Sequence, residues 1–306
     1  MSRILLLTPI FFSFIFAPLS YHPHIVKIGI FYSFFQALHA HLEDNLFGQP
    51  LAMEVCPMLQ GHRNSIVRKK GADKSLSISM HGWPGTGKNY VAEFIAKSLF
   101  TEGMDSQFVK LYIGRNDFPD KNQVSFYQVE ITDVLKSCPV ALIIFDEVND
   151  IPPGVLNVLK PFMDHHSVVD GVNFRNAVFL FLSNVIGNEI ADHFLKLNKD
   201  RESLVMADFD EVLRKGSYSA DGGFNEADVI YSQLIDHFIP FLPLEKHHVE
   251  KCVVAEFKKL GNNNPTQMEI ELVLQTIYYN KNIKTHSKLT KVLFFTLTPH
   301  RRPRGK

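Results

Sequence analysis

The stretch GWPGTGKN, residues 82–89, constrains the possible folds of this chain more than any other feature. It fits the phosphate-binding pattern G-x-x-x-x-G-K, except that Asn89 stands where the pattern ends in Ser or Thr. The alternating segment LSISM precedes the loop, and apolar residues recur at helical spacing after it, over 91–99. A strand, a glycine-rich loop and a helix in this order are the context that a phosphate-binding loop requires.

Every residue of this loop is a candidate nucleotide contact, namely Gly82, Trp83, Pro84, Gly85, Thr86, Gly87, Lys88 and Asn89. The glycines let backbone N–H groups turn towards a phosphate, and the N-terminus of the following helix favours negative charge. Lys88 would reach the β and γ phosphates. Asn89 offers Mg²⁺ a neutral carboxamide oxygen, directly or through a water molecule, which permits nucleotide binding and is compatible with slow turnover. ATP and Mg²⁺ are therefore the expected cofactors.

Two later strands end in polar residues that suit the same chemistry. ALIIFDE, residues 141–147, places Asp146 to hold Mg²⁺ and Glu147 beside it as the base that polarises water. AVFLFLSN, residues 177–184, ends in Asn184, which would lie between the other two strands and hold the attacking water or the γ-phosphate. Alone, an Asn at the end of a strand is usually a turn residue, and the acidic pair could be a strand that ends in solvated acids. The three motifs in this order favour the catalytic interpretation.

Continuous apolar strands that alternate with helices predict an α/β fold, a doubly wound parallel sheet, over residues 41–200. After about residue 200 we expect strands to stop and a smaller all-helical domain to follow over 201–292, with a basic tail over 293–306. The helical patterns in this part cover 204–215, 226–238, 245–260 and 266–279.

Charge and cysteine content exclude some classes of function. The chain has 32 basic and 32 acidic residues, so its formal charge of zero gives no reason to expect a nucleic acid partner. Cys56, Cys138 and Cys252 lie far apart without C-x-x-C spacing, which argues against a zinc site or a disulfide framework.

The N-terminus is apolar. Arg3 precedes an uncharged run that ends at Ser20, and a second apolar run over 25–40 is interrupted by Lys27. Neither run is the clean stretch of about 20 apolar residues that a spanning helix needs. We interpret 1–20 as a signal peptide and 21–40 as a hydrophobic membrane-associated segment. A single signal anchor and a pair of buried helices are the alternatives.

Five stretches besides the loop carry a family resemblance: EDNLFGQPLA, IIFDE, LKPFMDHHSVVDGV, FLFLSN and HFIPFLPLEKHHVEKC. With GWPGTGKN, they resemble the torsin family of AAA+ ATPases, in the family's order, over about residues 41–288. The resemblance implies an AAA+ nucleotide domain with a helical lid, in a membrane-associated protein of the endoplasmic reticulum lumen and nuclear envelope. It also implies that Lys88, Asp146, Glu147 and Asn184 are the phosphate-loop, magnesium, base and sensor residues.

Torsins generally lack an arginine finger of their own, and transmembrane activators of the lamina-associated polypeptide type supply one in trans. The resemblance therefore implies such activators as partners, together with a homo- or hetero-oligomer of AAA+ subunits and a membrane surface. Arg201 and Arg214 follow the sensor strand, but neither is assigned as a finger.

The C-terminus departs from the family. Cys252 matches the first of two torsin cysteines implicated in redox sensing, but the second belongs to a Gly-Cys-Lys motif that this chain lacks. Leu289 and Thr290 stand where Gly-Cys would be, and Lys291 would replace the lysine only in part. The departure disfavours disulfide regulation and weakens the expected contact of the lid with the nucleotide.

The sequence thus predicts a torsin-like AAA+ ATPase that binds ATP, hydrolyses it slowly with a cofactor in trans and remodels proteins or membranes. A non-catalytic nucleotide-binding assembly subunit is the alternative. A cytosolic Clp-like unfoldase is less well supported, because FPDKNQVSFYQ, residues 118–128, lacks an aromatic-Gly pore loop.

Overall fold

The fold is taken from a computed structural model. It describes residues 39–67, 72–100, 102–137, 141–165, 168–169, 171–219, 222–224, 230, 233–275, 279–280 and 285–286. The leader 1–20, most of the segment 21–40, the tail 293–306, Cys138 and the stretch with Leu289, Thr290 and Lys291 lie outside the described residues.

Strands and helices are interspersed along the described part of the chain. The strands are β1 (Leu76–Gly82), β2 (Val109–Ile113), β3 (Leu142–Asp146), β4 (Val168–Val169), β5 (Val172–Asn173), β6 (Val178–Ser183), β7 (His237–Phe241), β8 (Leu244–Glu245), β9 (Tyr279–Asn280) and β10 (Thr285–His286). The α-helices are α1 (Val55–Val67), α2 (Lys88–Leu99), α3 (Gly114–Asp117), α4 (Val124–Ser137), α5 (Lys160–Met163), α6 (Gly187–Leu197), α7 (Asp210–Ser219), α8 (Lys246–Lys259) and α9 (Gln267–Gln275). Residues 39–45 are also helical, and short 3₁₀ helices include Pro50–Glu54 and Val148–Asp150.

A five-stranded sheet in the order β2-β3-β6-β1-β7 forms the centre of the fold. Each neighbouring pair runs parallel. The doubly wound parallel sheet predicted from the sequence is confirmed.

The sheet is buried on both faces because successive side chains of a strand point in opposite directions. Ile143 and Phe145 of β3 pack in one apolar core, which contains Ile131 of α4. Leu142 and Ile144 pack in the other core, which contains Ile95 of α2. Helices on both faces explain why β3 and β6 are continuous apolar runs rather than alternating ones.

The prediction that strands stop after about residue 200 is wrong. β7 pairs with β1 at one end of the sheet, with Ile78 opposite His237 and His81 opposite Pro240. The helix predicted over 226–238 is therefore wrong at its C-terminal end, where residues 234–236 are not helical and HFIPF is a short strand with a proline. An edge strand tolerates proline, because a residue whose N–H would point away from the sheet loses no hydrogen bond when proline replaces it. β7 carries the sheet beyond the end that the sequence predicted for the α/β domain.

The part that follows β7 is not all-helical either. α8 and α9 pack around an apolar cluster that includes Val249, Val253 and Leu274. β8, β10 and β9 form a small antiparallel sheet beside them. Strands of two residues are too short to give a periodic pattern, so the sequence did not indicate them. Within the described ranges, no helix is both long and apolar enough to span a bilayer.

Candidate nucleotide-binding site

The order of the strands brings the sequence motifs to one edge of the sheet. β6 lies between β1 and β3. His81 of β1 pairs with Ser183 of β6, so Asn184 follows at the level of Gly82. Asp146 ends β3 on the other side of β6. The carboxyl ends of parallel strands in an open sheet form the crevice where such folds bind ligands.

The glycines at either end of the loop permit its backbone path. Gly82 has φ 153°, and a Cβ there would lie 2.4 Å from the carbonyl oxygen of Phe241. Gly87 has φ 111° and directly precedes α2. The free N–H groups and the dipole at the start of α2 therefore face the loop, where they favour a bound anion.

Two side-chain hydrogen bonds stabilise the turn between these glycines. Thr86 donates its hydroxyl to the carbonyl of Trp83, with an oxygen–oxygen distance of 2.7 Å. The indole nitrogen of Trp83 donates to Asn188 Oδ1 at 2.8 Å, which ties the loop to α6. One of these bonds lies within the loop, and the other joins it to a neighbouring helix.

Lys88 is buried, with 4% of its surface exposed. Its Nζ donates to the carbonyl oxygens of Gly82 at 2.7 Å and Trp83 at 2.9 Å. Burial lowers the pKa of Lys88 to about 7, although the nearby Asp146 acts in the opposite direction. Neutral carbonyl groups do not balance a buried ammonium, so the site fits an anion such as a triphosphate.

Asn89 contacts the predicted magnesium residue. Its Nδ2 donates to Asp146 Oδ2 at 2.5 Å, and the backbone N–H of Glu147 donates to Asp146 Oδ1 at 2.8 Å. Asn89 thus lies at the expected position, but it faces Asp146 with its nitrogen. Its role as a metal ligand stays a prediction.

Glu147 has an unusual backbone conformation for a side-chain-bearing residue, with φ 52° and ψ 48°. Such a left-handed residue costs about 1–2 kcal/mol and is typical of turns that aim a functional side chain. Gly114 allows this turn, because a Cβ there would lie 2.3 Å from the carbonyl oxygen of Glu147. The conformation singles out the predicted base among the acidic residues of the site.

The residues present fit a magnesium–nucleotide complex rather than an all-protein metal cage. Within the described part of the chain, no group of three or more His, Cys, Asp or Glu side chains is placed to hold a metal. Mg²⁺ usually takes one or two carboxylates and completes its shell with water and phosphate oxygens. Asp146 at the end of β3 would provide one such carboxylate.

Arg214 and Cys252 lie in α7 and α8, which follow β6 in the chain. Cys252 is half-buried in α8, and burial raises the pKa of its thiol to about 12, so it is protonated at neutral pH. The guanidinium of Arg214 lies over the ring of Phe238, 5.1 Å from its centroid. The redox role of Cys252 stays a prediction.

Sequence reasoning missed the contact between Gln49 and the phosphate loop. The Gln49 side chain is 2% exposed and donates to the carbonyl of Thr86 at 3.0 Å. EDNLFGQPLA drew attention to this region by its family resemblance, but nothing in the local pattern predicted a contact with a loop 37 residues away.

Comparison with known structures supports the fold described above, a parallel α/β sheet with helices on both faces. The S. cerevisiae Hsp104–ADP complex matches with a TM-score of 0.59 at 16% identity, over 87% of this chain and 47% of that chain. A closed-state Hsp104 with ATPγS and FITC casein matches with a TM-score of 0.61 at 14% identity, over 88% and 47% of the two chains. This chain therefore spans about half the length of those Hsp104 chains, and the likeness concerns the fold.

The sequence comparisons define the family. A torsin family model matches residues 29–145. A torsin-like protein of Drosophila melanogaster is 41% identical over 261 residues, 82% of this chain and 75% of the relative. A torsin-like protein of Caenorhabditis elegans is 38% identical over 261 residues, 80% and 70% of the two chains. The chain belongs to the torsin family.

Proposed function

We propose that this chain is a torsin-like AAA+ ATPase that binds ATP with Mg²⁺ and hydrolyses it slowly, when a partner completes the site. Its work would be to remodel proteins or membranes in the lumen of the endoplasmic reticulum and nuclear envelope. The observation that supports this proposal best is the convergence of Lys88, Asp146 and Glu147 at one sheet edge, with Lys88 buried and unbalanced by a bonded carboxylate.

Each of these side chains has a distinct part in the proposed reaction. Lys88 would place its charge against the β and γ phosphates, and Asp146 would hold the metal. Glu147 would accept a proton from the attacking water, which Asn184 would orient. Bound Mg²⁺ supplies neutralisation of the charge on the phosphate oxygens.

Two arginines of the described part of the chain already have partners, which supports the proposed need for an activator. Arg201 is 8% exposed and donates to backbone carbonyls and to Glu245, so it is committed to the fold. Arg115 is paired with Asp150 at 2.9 Å. An arginine finger from another chain can raise the rate roughly 10³- to 10⁵-fold. We propose that a transmembrane activator of the lamina-associated polypeptide type supplies it to a homo- or hetero-oligomer.

The test compares ATP hydrolysis with and without the luminal domain of such an activator. We expect the activator to stimulate ATP hydrolysis by the wild type. The stimulated rate of Glu147→Gln should be lower by a factor of roughly 10²–10⁴, because the general base is removed. Glu147→Gln should still bind ATP, whereas Lys88→Ala should lose binding. If the activator produced no ATP hydrolysis that depends on Glu147, the proposed ATPase activity would be refuted.

A non-catalytic assembly subunit is the second candidate. The bond between Asn89 and Asp146 favours it, because this bond occupies an oxygen that a catalytic metal would use. In that case ATP would bind and change the oligomeric state, measured by sedimentation, while Glu147→Gln would change neither property.

The proposed location has its own test. The apolar leader supports translocation into the endoplasmic reticulum, with 1–20 removed and 21–40 kept at the membrane surface. Translation with microsomes should shorten the chain and protect it from added protease. A chain that stays full length and protease-sensitive would contradict a luminal location.

A further inference from the structure

Gln49 bridges two parts of the fold that are far apart in sequence. Its Nε2 donates to Thr86 O at 3.0 Å and to Leu242 O at 2.8 Å, and its Oε1 accepts the N–H of Leu242 at 2.8 Å. With 2% of its surface exposed, Gln49 makes these bonds out of contact with water. Every partner atom belongs to the backbone, so the bridge fixes the path of two segments rather than one side chain.

On one side, the bridge fixes a peptide group of the phosphate loop. The carbonyl of Thr86 and the N–H of Gly87 belong to the same planar trans peptide, so they point in opposite directions. Gln49 holds the carbonyl, and it thereby sets the direction of the Gly87 N–H. Gly87 immediately precedes Lys88 and α2, where inward N–H groups would bind phosphate.

On the other side, the bridge fixes the segment that leads from the sheet to the C-terminal helices. Leu242 follows β7 directly, and β8 and α8 begin two and four residues further on. Gln49 contacts both the N–H and the carbonyl of Leu242, as a neighbouring strand would. One carboxamide therefore joins the phosphate loop to the segment that leads into α8.

Arg201 secures the same segment. Its guanidinium donates to Gly48 O and Pro243 O, both at 2.8 Å, and to Glu245 Oε1 at 3.0 Å. Glu245 is the N-cap of α8. The His248 ring packs so closely that a Cβ on Gly48 would lie 2.8 Å from it. Residues 48–49 are thus held at once to the loop and to the first turn of α8.

We propose that Gln49 is a positioning residue that couples the phosphate loop to α8, so that nucleotide binding in the loop stabilises the first turn of α8. The inference rests on the proposed nucleotide function for its purpose, but the coupling itself is a property of the fold. A buried glutamine with a structural role alone would stabilise each segment separately. A coupling residue makes a change in the phosphate loop alter the stability of α8 as well.

Hydrogen exchange of the full chain tests the coupling, with peptides that cover 83–88 and 246–259, with and without saturating ATPγS and Mg²⁺. Gln49→Glu keeps the size of the side chain but removes both donated bonds, because a carboxylate only accepts. Gln267→Glu is the matched control, since Gln267 is exposed at the start of α9. Gln49→Asn is a milder variant, one methylene too short to reach both segments.

Without nucleotide, we expect Gln49→Glu to exchange faster in both peptides, on the order of tenfold, as the loss of two hydrogen bonds predicts. Nucleotide should slow exchange in both peptides of the wild type and of Gln267→Glu. In Gln49→Glu it should slow exchange in the 83–88 peptide only. The exchange rates of Gln49→Asn should change in the same direction as those of Gln49→Glu, but by a smaller factor.

The coupling is overturned if only one peptide loosens without nucleotide, or if nucleotide protects α8 equally in Gln49→Glu and the wild type. A wild type that binds no nucleotide refutes the proposed function instead. The nucleotide-free comparison of the two peptides then still decides whether Gln49 couples them.

Discussion

Asn89 donates a side-chain hydrogen bond to Asp146, with 2.5 Å between Nδ2 and Oδ2. The other carboxylate oxygen accepts the N–H of Glu147 at 2.8 Å. Both oxygens of Asp146 therefore have a donor before any ion binds. Mg²⁺ would have to compete with Asn89 for one of these oxygens. A shorter hydroxyl side chain at position 89 would leave that oxygen more accessible to the metal.

We expect Asn89→Thr to increase the dependence of ATP affinity on magnesium. Loss of one hydrogen bond to a charged group, about 1.5–3 kcal/mol, would raise the ratio of the dissociation constants in EDTA and in Mg²⁺ by roughly tenfold or more. Titration of a fluorescent ATP analogue under both conditions measures this ratio. Asn64→Thr, on the exposed face of α1, is the control. An unchanged ratio in Asn89→Thr would show that Asn89 does not restrain Asp146.

We expect Gly187→Ala to destabilise the protein and to weaken nucleotide binding. A Cβ at Gly187 would lie 2.3 Å from Trp83 Cδ1 and 2.9 Å from its backbone nitrogen, so the phosphate loop would have to move. Overpacking of this kind costs about 1–3 kcal/mol. Urea denaturation measures the loss in the free energy of unfolding.

The control for this substitution is Gly61→Ala. Gly61 lies in α1, and nothing stands within 4 Å of its missing Cβ. Alanine there should raise the free energy of unfolding by about 0.5–1 kcal/mol, because glycine is unfavourable inside a helix. Opposite signs at the two positions are the expected result, and a stabilising Gly187→Ala would contradict the contact with Trp83.

Arg201→Lys tests the buried guanidinium. Lysine keeps the charge but cannot contact Gly48, Pro243 and Glu245 together in the fork geometry of arginine. We expect the free energy of unfolding to fall by about 1–3 kcal/mol, less than for a fully buried pair because Glu245 is partly exposed. The same change at the exposed Arg115 should cost much less, because a solvated ion pair contributes little to stability. Equal losses at the two sites would contradict the structural role of Arg201.

The sequence was sufficient to predict the centre of the sheet. β3 and β6 are continuous apolar runs because helices cover both faces. β3 ends at Asp146, and Asn184 directly follows β6. β7 escaped prediction, since an edge strand can be short and can contain Pro240. Local periodicity reports how a strand is buried, so it detects inner strands better than edge strands.

The contacts of Gln49 and Arg201 were beyond sequence reasoning for a different reason. Gln49 bonds to Leu242, 193 residues away, and Arg201 bonds to Gly48, 153 residues away. Their partners are backbone atoms, which every residue type carries. No pattern of side chains can therefore indicate such a contact before the fold is known.

His248 provides a pH-dependent test of the segment around Gly48. Burial lowers its pKa to about 4, from an ordinary value near 6.5. The charges of Arg201, His247 and Lys251 act in the same direction, and Glu245 opposes them. The unfolded chain binds a proton near pH 6.5 and the folded chain only near pH 4, so the stabilisation is present above pH 6.5 and is lost as the pH falls towards 4.

We therefore expect His248→Asn to reduce the acid sensitivity of folding. The wild type should lose about 3 kcal/mol at most from this histidine between pH 6.5 and 4, at 1.36 kcal/mol for each unit of pKa. His248→Asn should lose correspondingly less over the same interval in urea denaturation, because its carboxamide does not titrate. His165→Asn, at an exposed position between α5 and β4, should follow the wild type. Equal losses of stability in His248→Asn and His165→Asn on acidification would contradict this prediction. They would mean that folded His248 accepts a proton as readily as the unfolded chain does, which its close packing against Gly48 does not allow.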